Sequence, residues 1–302
     1  MSPHLILAAD VGGTRMRAAL VDADGCVVVR ETAPTPADSY VPGALIELIA
    51  RVGATAGRSE VSHAVVGLPG AVDYEGGRLL SAPNLPDGWP DSLSADQLSD
   101  HLGFHVHVAN DADLAAVGEA TFGAGTGIDD VVAYLTVSTG IGAGVVNKGR
   151  LLHGHHSFGE FGHSVVDWRA WREGLPGTLE ELSSGSGMAR QARESGLGQM
   201  DAQAVLEAAL NDDVAARTIW EDAVAACAAG VCNLVMAFAP RTVIVGGGIG
   251  RRPEFFDPLR AVVLQHKENR PTELSVVVCE LGDDAGLAGA AAWVSEPPSR
   301  TD

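Results

Sequence analysis

The stretch LILAADVGGTRMRAALVDADGCVVVRET, residues 5–32, decides the fold. It predicts three β-strands, because an apolar strand leads into a glycine turn at Gly12 and the pair Asp24-Gly25 is typical of a tight hairpin turn. A second stretch, VVAYLTVSTGIGAG at residues 131–144, repeats the design of an apolar strand that feeds a glycine turn. This similarity predicts an α/β protein with two related lobes and a cleft between them.

Strand and helix patterns alternate along the rest of the chain, and no low-complexity linker divides it. The predicted boundary near Val108 separates a small N-terminal α/β lobe, residues 1–108, from a large C-terminal α/β lobe, residues 109–302. The last helix, at about residues 285–295, is a candidate to pack back on the first lobe.

Composition and charge restrict the classes of function. The chain has 302 residues, of which 46% are hydrophobic, and a formal net charge of −19. It therefore folds, and it has no general attraction for nucleic acid or anionic membranes. Four scattered cysteines without a CxxC pair indicate neither a disulfide framework nor a thiolate zinc site.

The chain also lacks the sequence patterns of export and membrane insertion. Its start reaches the polar Asp10 without the charged segment and long apolar run of a signal peptide. The uncharged stretch from Ala223 to Ala239 is shorter than the roughly 20 apolar residues of a membrane span, which favours a buried core helix. We expect a cytoplasmic protein.

Three glycine turns, each placed after an apolar strand, form a pattern suited to one nucleotide. The motifs DVGGTR, STGIGAG and VIVGGGIG offer backbone amides and hydroxyls, and none matches a P-loop or a Rossmann fingerprint. Gly12 and Gly13 are expected to allow a positive φ, and Asp10 is a candidate to hold a metal-bound water. Each motif taken alone is equally well explained as a simple turn. The candidate nucleotide residues are Asp10, Gly12, Gly13, Thr14, Arg15, Ser138, Thr139, Gly140, Gly247 and Gly248.

The motif VANDAD, residues 108–113, ends a strand and begins a helix. Asp111 is therefore either a helix N-cap or a carboxylate whose charge is favoured by the helix N-terminus. At the mouth of a phosphate-binding cleft, such a carboxylate is well placed to take a proton from an attacking hydroxyl. The residues alone leave both interpretations open.

Two groups of polar residues allow more than one interpretation. The segment GEFGHSVVDWRAWREGLPGTLEELSSG, residues 159–185, is compatible with a metal site, a sugar site or a solvated loop. His105 and His107 lie on one face of a predicted strand, a spacing compatible with a metal. Without a third ligand, the preferred interpretation of the two histidines is a half-exposed polar face.

Taken in order, the motifs resemble a known family. DVGGTRMRAALVD, GLPGAVDYEGG, APNLPDGW, NDADLAAVGE, STGIGAG, GEFGH, VIVGGGIG and LGDDAGLAGAA are similar, over nearly the whole chain, to the ROK sugar kinases, which include bacterial glucokinases and N-acetylmannosamine kinases. The resemblance implies a two-lobed, actin-like (ribonuclease-H-like) fold. It also implies ATP with Mg²⁺ as donor, phosphorylation of a hexose hydroxyl, usually at C6, and a homodimer or homotetramer.

The resemblance also implies roles for individual residues. Asp111 matches the catalytic base, and Asp10 matches the acidic residue near the metal. The nucleotide loops match at the glycines and threonines of the three motifs. The residues implied to approach or hold the sugar are Gly70, Asn84, Asn110, Asp111, Glu160, His163 and Glu180.

Other functions within the same family are less compatible with the sequence. Sugar-responsive repressors carry a helix-turn-helix before the first strand, and we expect no room for one before His4. A non-catalytic sugar-binding regulator is disfavoured by Asp111 together with the three nucleotide loops. A kinase that uses polyphosphate is disfavoured by the VIVGGGIG loop, which suits a purine ring.

The chain departs from the family at a zinc site. Many ROK proteins bind zinc with the His of GEFGH and three cysteines, whereas here the cysteine positions are Trp171, Glu173 and Thr178. We therefore predict no structural zinc. Apolar packing of Trp168, Trp171, Leu175 and Pro176 is expected to hold this loop instead.

A second departure concerns the sugar. Asp113 stands where the family often has Asn, and Glu173 is a further carboxylate near the predicted sugar loops. A buried ammonium group needs a carboxylate partner. The resemblance implies glucose as substrate, and these two residues make an amino sugar such as kanosamine or glucosamine the alternative.

Overall fold

The computed structural model describes residues 5–36, 43–56, 61–82, 85, 89, 93–154, 156–265 and 273–295. Backbone contacts divide the chain into two compact units. Unit 1 comprises Met1–Asp129, Gly144–Gly159 and Glu280–Asp302, and unit 2 comprises Asp130–Ala143 and Glu160–Cys279.

Unit 1 is built on a five-stranded sheet in which antiparallel and parallel pairs are mixed. The strands are β1 (Leu5–Val11), β2 (Arg15–Val21), β3 (Val27–Pro34), β4 (Val61–Leu68) and β7 (His105–Asn110), in the order β3-β2-β1-β4-β7. Strand β2 pairs antiparallel with both β1 and β3. Strand β4 pairs parallel with both β1 and β7. A separate hairpin joins β5 (Ala71–Asp73) to β6 (Arg78–Ser81), and the helices are α1 (Gly43–Gly53), α2 (Ala95–Leu102), α3 (Asp111–Phe122) and α10 (Ala285–Ser295).

The hairpin between β2 and β3 confirms the turn predicted at Asp24-Gly25. The Asp22 carboxylate accepts hydrogen bonds from the N–H groups of Asp24 (3.0 Å) and Cys26 (2.9 Å). Gly25 adopts φ 78°, a left-handed conformation that glycine reaches without a steric penalty. The local sequence therefore sets this turn.

Helices α3 and α10 cross at glycines, which places both in unit 1. A Cβ atom on Gly289 would lie 1.9 Å from the Leu114 carbonyl oxygen, and one on Gly118 would lie 2.2 Å from that of Ala285. The sequence-based boundary near Val108 put α3 in the C-terminal lobe, whereas unit 1 extends to Asp129. The reason for the difference is this backbone-to-backbone crossing, which holds α3 against α10.

Among the described residues, unit 2 contains most of the second five-stranded sheet and six α-helices. The strands are β8 (Val131–Val137), β9 (Ile141–Asn147), β10 (Arg150–Leu152), β11 (Thr242–Gly246) and β12 (Ser275–Val278), in the order β10-β9-β8-β11-β12. Strand β8 is parallel to β11, and β11 is parallel to β12. The helices are α4 (Trp168–Arg172), α5 (Leu179–Ser183), α6 (Gly185–Glu194), α7 (Ala202–Leu210), α8 (Val214–Phe238) and α9 (Pro253–Gln265).

The long apolar stretch predicted as a core helix forms the C-terminal part of α8. Among the described residues, α8 is the one helix whose length and apolar composition would allow it to cross a membrane. Core helices of soluble proteins pass the same test, and α8 packs against α5, α7 and α9. Its inward face includes Cys227, Val231 and Leu234, all buried. These contacts fit the interpretation of α8 as a core helix of unit 2.

Candidate active site

The N-terminus of α3 in unit 1 is fixed by the side chain of Asn110. Its Oδ1 accepts hydrogen bonds from the N–H groups of Ala112 (2.9 Å) and Asp113 (3.0 Å), and its Nδ2 donates to the Gly70 carbonyl at 2.9 Å. Asn110 is therefore the N-cap of this helix, and its oxygen is fully engaged. Two residues implied to lie near the sugar, Gly70 and Asn110, are in direct contact.

Asp111 is the first residue of α3 and is partly exposed. Its carboxylate oxygen Oδ1 lies 2.8 Å from the N–H of Ala112. Of the two interpretations that the sequence left open, the N-cap role belongs to Asn110 instead. Asp111 is thus a carboxylate at a helix N-terminus, where the helix dipole favours its negative charge.

Beneath the N-cap, the partly buried Tyr74 pairs with the fully buried Asp113. The Tyr74 hydroxyl accepts a hydrogen bond from the Asn110 N–H at 3.2 Å and donates one to Asp113 Oδ2 at 2.5 Å. Burial raises the pKa of Asp113 to about 8, against the opposing effect of the hydrogen bond from Tyr74. Burial, followed by the charge of Asp113, also raises the pKa of Tyr74. Asp113 is 0% exposed, so it offers no carboxylate to a ligand.

Asp10 lies near the end of β1 and forms an ion pair with Arg17 of β2. The Nε of Arg17 is 3.1 Å from Asp10 Oδ2, and its Nη1 donates to the Asp283 carbonyl at 2.7 Å. Both contacts of Arg17 to Asp10 use Oδ2. Magnesium prefers oxygen ligands and usually keeps several waters, so Asp10 fits a water-mediated role through its other oxygen, Oδ1.

The glycine turn between β1 and β2 is tight, although not for the reason that the sequence suggested. Neither Gly12 nor Gly13 has a positive φ. Instead, the Gly12 N–H donates to the Arg15 carbonyl at 2.9 Å, and a Cβ atom on Gly12 would lie 3.1 Å from that same oxygen. Gly13, Thr14 and Arg15 are exposed. The turn therefore presents its tip to solvent.

Unit 2 contains a pocket of about 430 Å³ that includes parts of two predicted nucleotide loops. Helix starts line the rest of it. Its lining residues are Ser138, Thr139, Gly185, Ser186, Ala189, Asp201, Ala202, Gln203, Gly248 and Ile249. Seven of these, Gly185, Ser186, Ala189, Asp201, Ala202, Gln203 and Ile249, were not among the predicted site residues. The signal that could have indicated the first two is the run of small residues SSGSG at the start of α6.

Glycines let the two loops of this pocket approach each other closely. Gly247 has φ 83°, and a Cβ atom on it would lie 2.3 Å from the Val137 carbonyl oxygen. A Cβ atom on Gly248 would meet nothing within 4 Å, so its backbone faces open space. A flat ring can lie against bare backbone, and the small side chains around it leave room. The residues present therefore fit a nucleotide.

Glu180 joins two of the sequence motifs within unit 2. Its Oε2 accepts a hydrogen bond from the Ile141 N–H at 2.8 Å, directly after Gly140 of the STGIGAG motif. A Cβ atom on Gly140 would lie 2.6 Å from that same oxygen, and one on Gly162 of GEFGH would lie 3.3 Å from it. The structure thus brings the predicted sugar residue Glu180 next to a predicted nucleotide loop.

Glu160 and His163 lie on a 3₁₀ helix, Gly159–His163. Glu160 Oε2 is 3.1 Å from His163 Nε2, and the His163 side chain is 60% exposed. The two side chains are therefore paired with each other and accessible. Asn84, the remaining residue implied to approach the sugar, lies outside the described residues.

The loop that replaces the zinc site is held by hydrogen bonds rather than by apolar packing. Thr178 caps α5 in a capping box with Glu181, and the Gly177 carbonyl accepts from the N–H groups of Val166 and Asp167. The hydrogen bond from the Thr178 N–H is the main reason that the pKa of Glu181 is lowered. Trp168 and Trp171 are 55% and 58% exposed, so the expectation that they pack inside the loop is wrong.

Glu173 ends α4 and faces solvent. Its side chain is 61% exposed and lies 3.5 Å from Arg172. Within the described ranges, no group of three or more His, Cys, Asp or Glu side chains is arranged as a metal-ligand set. The absence of structural zinc stays a prediction. The carboxylate of Glu173 has the neighbouring Arg172 as its basic partner.

Comparisons with known proteins agree with the motif order. A profile of the ROK family matches residues 6–297. The glucokinase of Thermotoga maritima is 34% identical, with 96% of this chain and 97% of that protein covered. The N-acetylmannosamine kinase of Salmonella arizonae is 31% identical, with 94% and 96% covered. A ROK family glucokinase from Streptomyces griseus, solved in complex with glucose and AMPPNP, has a TM-score of 0.77 at 30% identity, with 95% and 98% covered.

These matches run nearly from end to end in both sequence and structure. They cover the helix that begins at Asp111, the pocket of unit 2 and the GEFGH segment alike. The protein therefore has the actin-like α/β fold of the ROK sugar kinases and belongs to the ROK family.

Proposed function

We propose that this protein is an ATP-dependent hexose kinase that transfers the γ-phosphoryl group to the C6 hydroxyl of glucose. The observation that carries the proposal is the arrangement at the start of α3. Asn110 takes the capping role and is bonded to Gly70, which leaves Asp111 as a partly exposed carboxylate at a helix N-terminus. Relatives named as glucokinases at up to 34% identity support this activity.

In the proposed reaction, Asp111 accepts the proton of the attacking sugar hydroxyl as that oxygen bonds to the γ-phosphorus of ATP. The bond between the γ-phosphorus and the β-phosphate oxygen breaks in the same step, and ADP leaves. The helix dipole favours the negative charge of a carboxylate at this position, which suits a general base. Proton removal and transfer of the phosphoryl group are then complete without a covalent enzyme intermediate. The sugar is held by Gly70, Asn84, Asn110, Glu160, His163 and Glu180. Asn110 can contribute only its amide N–H, since its oxygen is used by the cap.

The pocket of unit 2 is the proposed site of the adenine nucleotide. Gly248 lines the pocket and offers bare backbone to the purine ring, and Ser138 and Thr139 line it and offer amides and hydroxyls to the phosphates. Gly247 and Gly140 do not line the pocket but adjoin these residues in the same two loops, and we propose that they contact the nucleotide as well. In unit 1, Gly12, Gly13, Thr14 and Arg15 are proposed to contact phosphate, and Asp10 to hold magnesium through water. The metal, when bound, supplies positive charge that offsets the charge of the phosphates.

An amino sugar remains the second candidate substrate. The two carboxylates that suggested it are engaged elsewhere, because Asp113 is buried against Tyr74 and Glu173 lies beside Arg172. One relative is named as an N-acetylmannosamine kinase, so substituted hexosamines are included among the sugars to be tested. We therefore favour glucose as the substrate. We also propose that the protein is cytoplasmic and forms a homodimer or homotetramer, and light scattering would measure its oligomeric state.

The test is an ADP-release assay with ATP and Mg²⁺ over glucose, mannose, glucosamine, kanosamine, N-acetylglucosamine and N-acetylmannosamine. We expect the highest kcat/KM with glucose. A clear preference for glucosamine or kanosamine would favour the amino-sugar alternative. No turnover with any of these sugars, from protein that binds them, would instead indicate a sugar-binding regulator.

The base is tested by Asp111→Asn, which should bind glucose but lose about 10³-fold or more in kcat. The matched control is Asp213→Asn, which changes the N-cap of α8, where asparagine caps as well as aspartate. The control should keep its turnover. Turnover of the Asp111→Asn variant within a few-fold of the unmodified protein would contradict the assigned role.

A further inference from the structure

Three histidines of unit 1 lie together on neighbouring strands. His63 belongs to β4, His105 and His107 belong to β7, and His63 is the register partner of His105. The ring centres are 4.5 Å apart for His105 and His107, 5.6 Å for His63 and His105, and 5.8 Å for His63 and His107. The sequence showed only the pair on β7, and the structure supplies the third imidazole from β4.

The three rings share one face of the sheet, at the amino ends of their strands. Residues paired across parallel strands, and residues two apart along a strand, point to the same side. The alternating neighbours Ala64 and Val106 point instead into the apolar core of unit 1. His105 is five residues before Asn110, or about 16 Å along the strand. The cluster is therefore remote from the start of α3.

One nitrogen of this cluster is buried without a partner. Among the described residues, Nδ1 of His63 has neither solvent exposure nor a hydrogen bond. A buried polar atom left unpaired costs free energy, typically about 1–3 kcal/mol. His105 is exposed and His107 half-buried, so the cluster is open to solvent on the side of the edge strand β7. A ligand can therefore reach the rings.

The spacing of the rings matches that of imidazoles around a tetrahedral metal ion. With metal–nitrogen bonds of about 2.0–2.1 Å, tetrahedral geometry separates ring centres by roughly 5 Å. The observed separations of 4.5–5.8 Å bracket that value. As they stand, the rings do not form a ligand set, since none exists in the described part of the chain. The χ2 angle of histidine is broadly distributed, and the exposed His105 ring has room to turn towards a point shared with the other two rings.

From this geometry we propose that His63, His105 and His107 bind one divalent cation of the zinc, cobalt or nickel type. Imidazole suits these ions, and water completes their coordination. The site is independent of the kinase reaction and of the segment in which relatives bind zinc.

The test uses untagged full-length protein, freed of metal with a chelator and titrated with Co²⁺. We expect one equivalent to bind and to give the visible absorption of tetrahedral cobalt, with a rise in Tm that depends on metal concentration. His105→Asn should weaken binding at least about 10-fold, because even the loss of an outer-shell partner has that effect. Since His105 is exposed on an edge strand, this variant should fold and keep its kinase turnover.

His101→Asn is the matched control, because His101 lies on the exposed side of α2 and contacts only the Gln97 carbonyl among the contacts described. It should bind Co²⁺ as the unmodified protein does. His63→Asn and His107→Asn should each weaken binding as His105→Asn does. The proposal is overturned if no cobalt binds, or if binding survives in the His105→Asn variant and is lost in His163→Asn.

Discussion

At the scale of single residues, the start of α3 depends on side chains that the sequence did not connect. Tyr74 and Asp113 are 39 positions apart, and their hydrogen bond lies directly beneath the N–H of Asn110. The family resemblance implies Asn at the position of Asp113, and the carboxylate in its place suggested a partner for an amino sugar. Full burial gives it a structural role instead, because a carboxyl group without contact to solvent meets no substrate.

Asp113 predicts a pH dependence of stability. Its pKa is about 8 in the folded protein and near the ordinary 3.8 in the unfolded chain, so between these values the folded state binds the extra proton. Stability must then fall as pH rises from about 4 to 8. Asp113→Asn cannot ionise, so it should match the unmodified protein near pH 4 and exceed its Tm by roughly 5 °C or more at pH 8. Thermal unfolding across this range is the measurement.

The control for this experiment is Asp167→Asn, which alters an exposed N-cap and should shift Tm little at any pH. An Asp113→Asn variant whose Tm follows the same pH curve as the unmodified protein would contradict the raised pKa. The readout is stability, so the result does not depend on which sugar is phosphorylated.

At the scale of elements, the crossing of α3 and α10 ties the helix that begins at Asp111 to the last described helix. Gly118 and Gly289 let the two backbones meet where any side chain would collide with a carbonyl oxygen. The sequence AGLAGAAAWV contains the signal for this contact, since small residues permit close approach. It does not identify the partner helix, because a pattern within one helix carries no information on what covers it.

Gly289→Val should destabilise unit 1 by about 3 kcal/mol, because its Cβ would lie 1.9 Å from the Leu114 carbonyl oxygen and neither backbone can yield easily. The matched control is Gly286→Ala on the same helix, whose Cβ would meet only the Asp111 carbonyl at 3.8 Å. We expect that change to be neutral or slightly stabilising, since alanine is the better helix former. Urea unfolding of both variants gives the comparison, and equal midpoints would refute the close crossing.

At the scale of the whole molecule, charge is the dominant feature. The formal net charge of −19 makes the folded state repel itself. Because the Debye length falls to about 8 Å at 0.15 M salt, raising NaCl from about 0.02 to 0.3 M should raise Tm by a few degrees. Choline chloride should act equally if screening is the cause. A flat or falling Tm in both salts would show that the charges are already neutralised locally.

Sequence patterns identified the hairpin at Asp24-Gly25, the helix from Asp111 and the apolar helix α8, because each depends on local turn chemistry or periodicity. They did not identify the extent of unit 1, the N-cap role of Asn110 or the contribution of His63 to the histidine cluster. Each of these depends on a contact between residues far apart in the chain. The pocket of unit 2 was predicted in part, since its glycine loops are local motifs and its helix starts are not.

The loop from Val165 to Thr178 is closed by main-chain hydrogen bonds and a capping box, with no thiol in it. A loop closed by zinc and cysteines, which the family resemblance implies for many members, depends on metal supply and on a reducing environment. The contacts that close this loop are backbone hydrogen bonds and the cap between Thr178 and Glu181, and none of them needs a metal or a thiol. We therefore expect the loop to keep its shape in chelators and in oxidants.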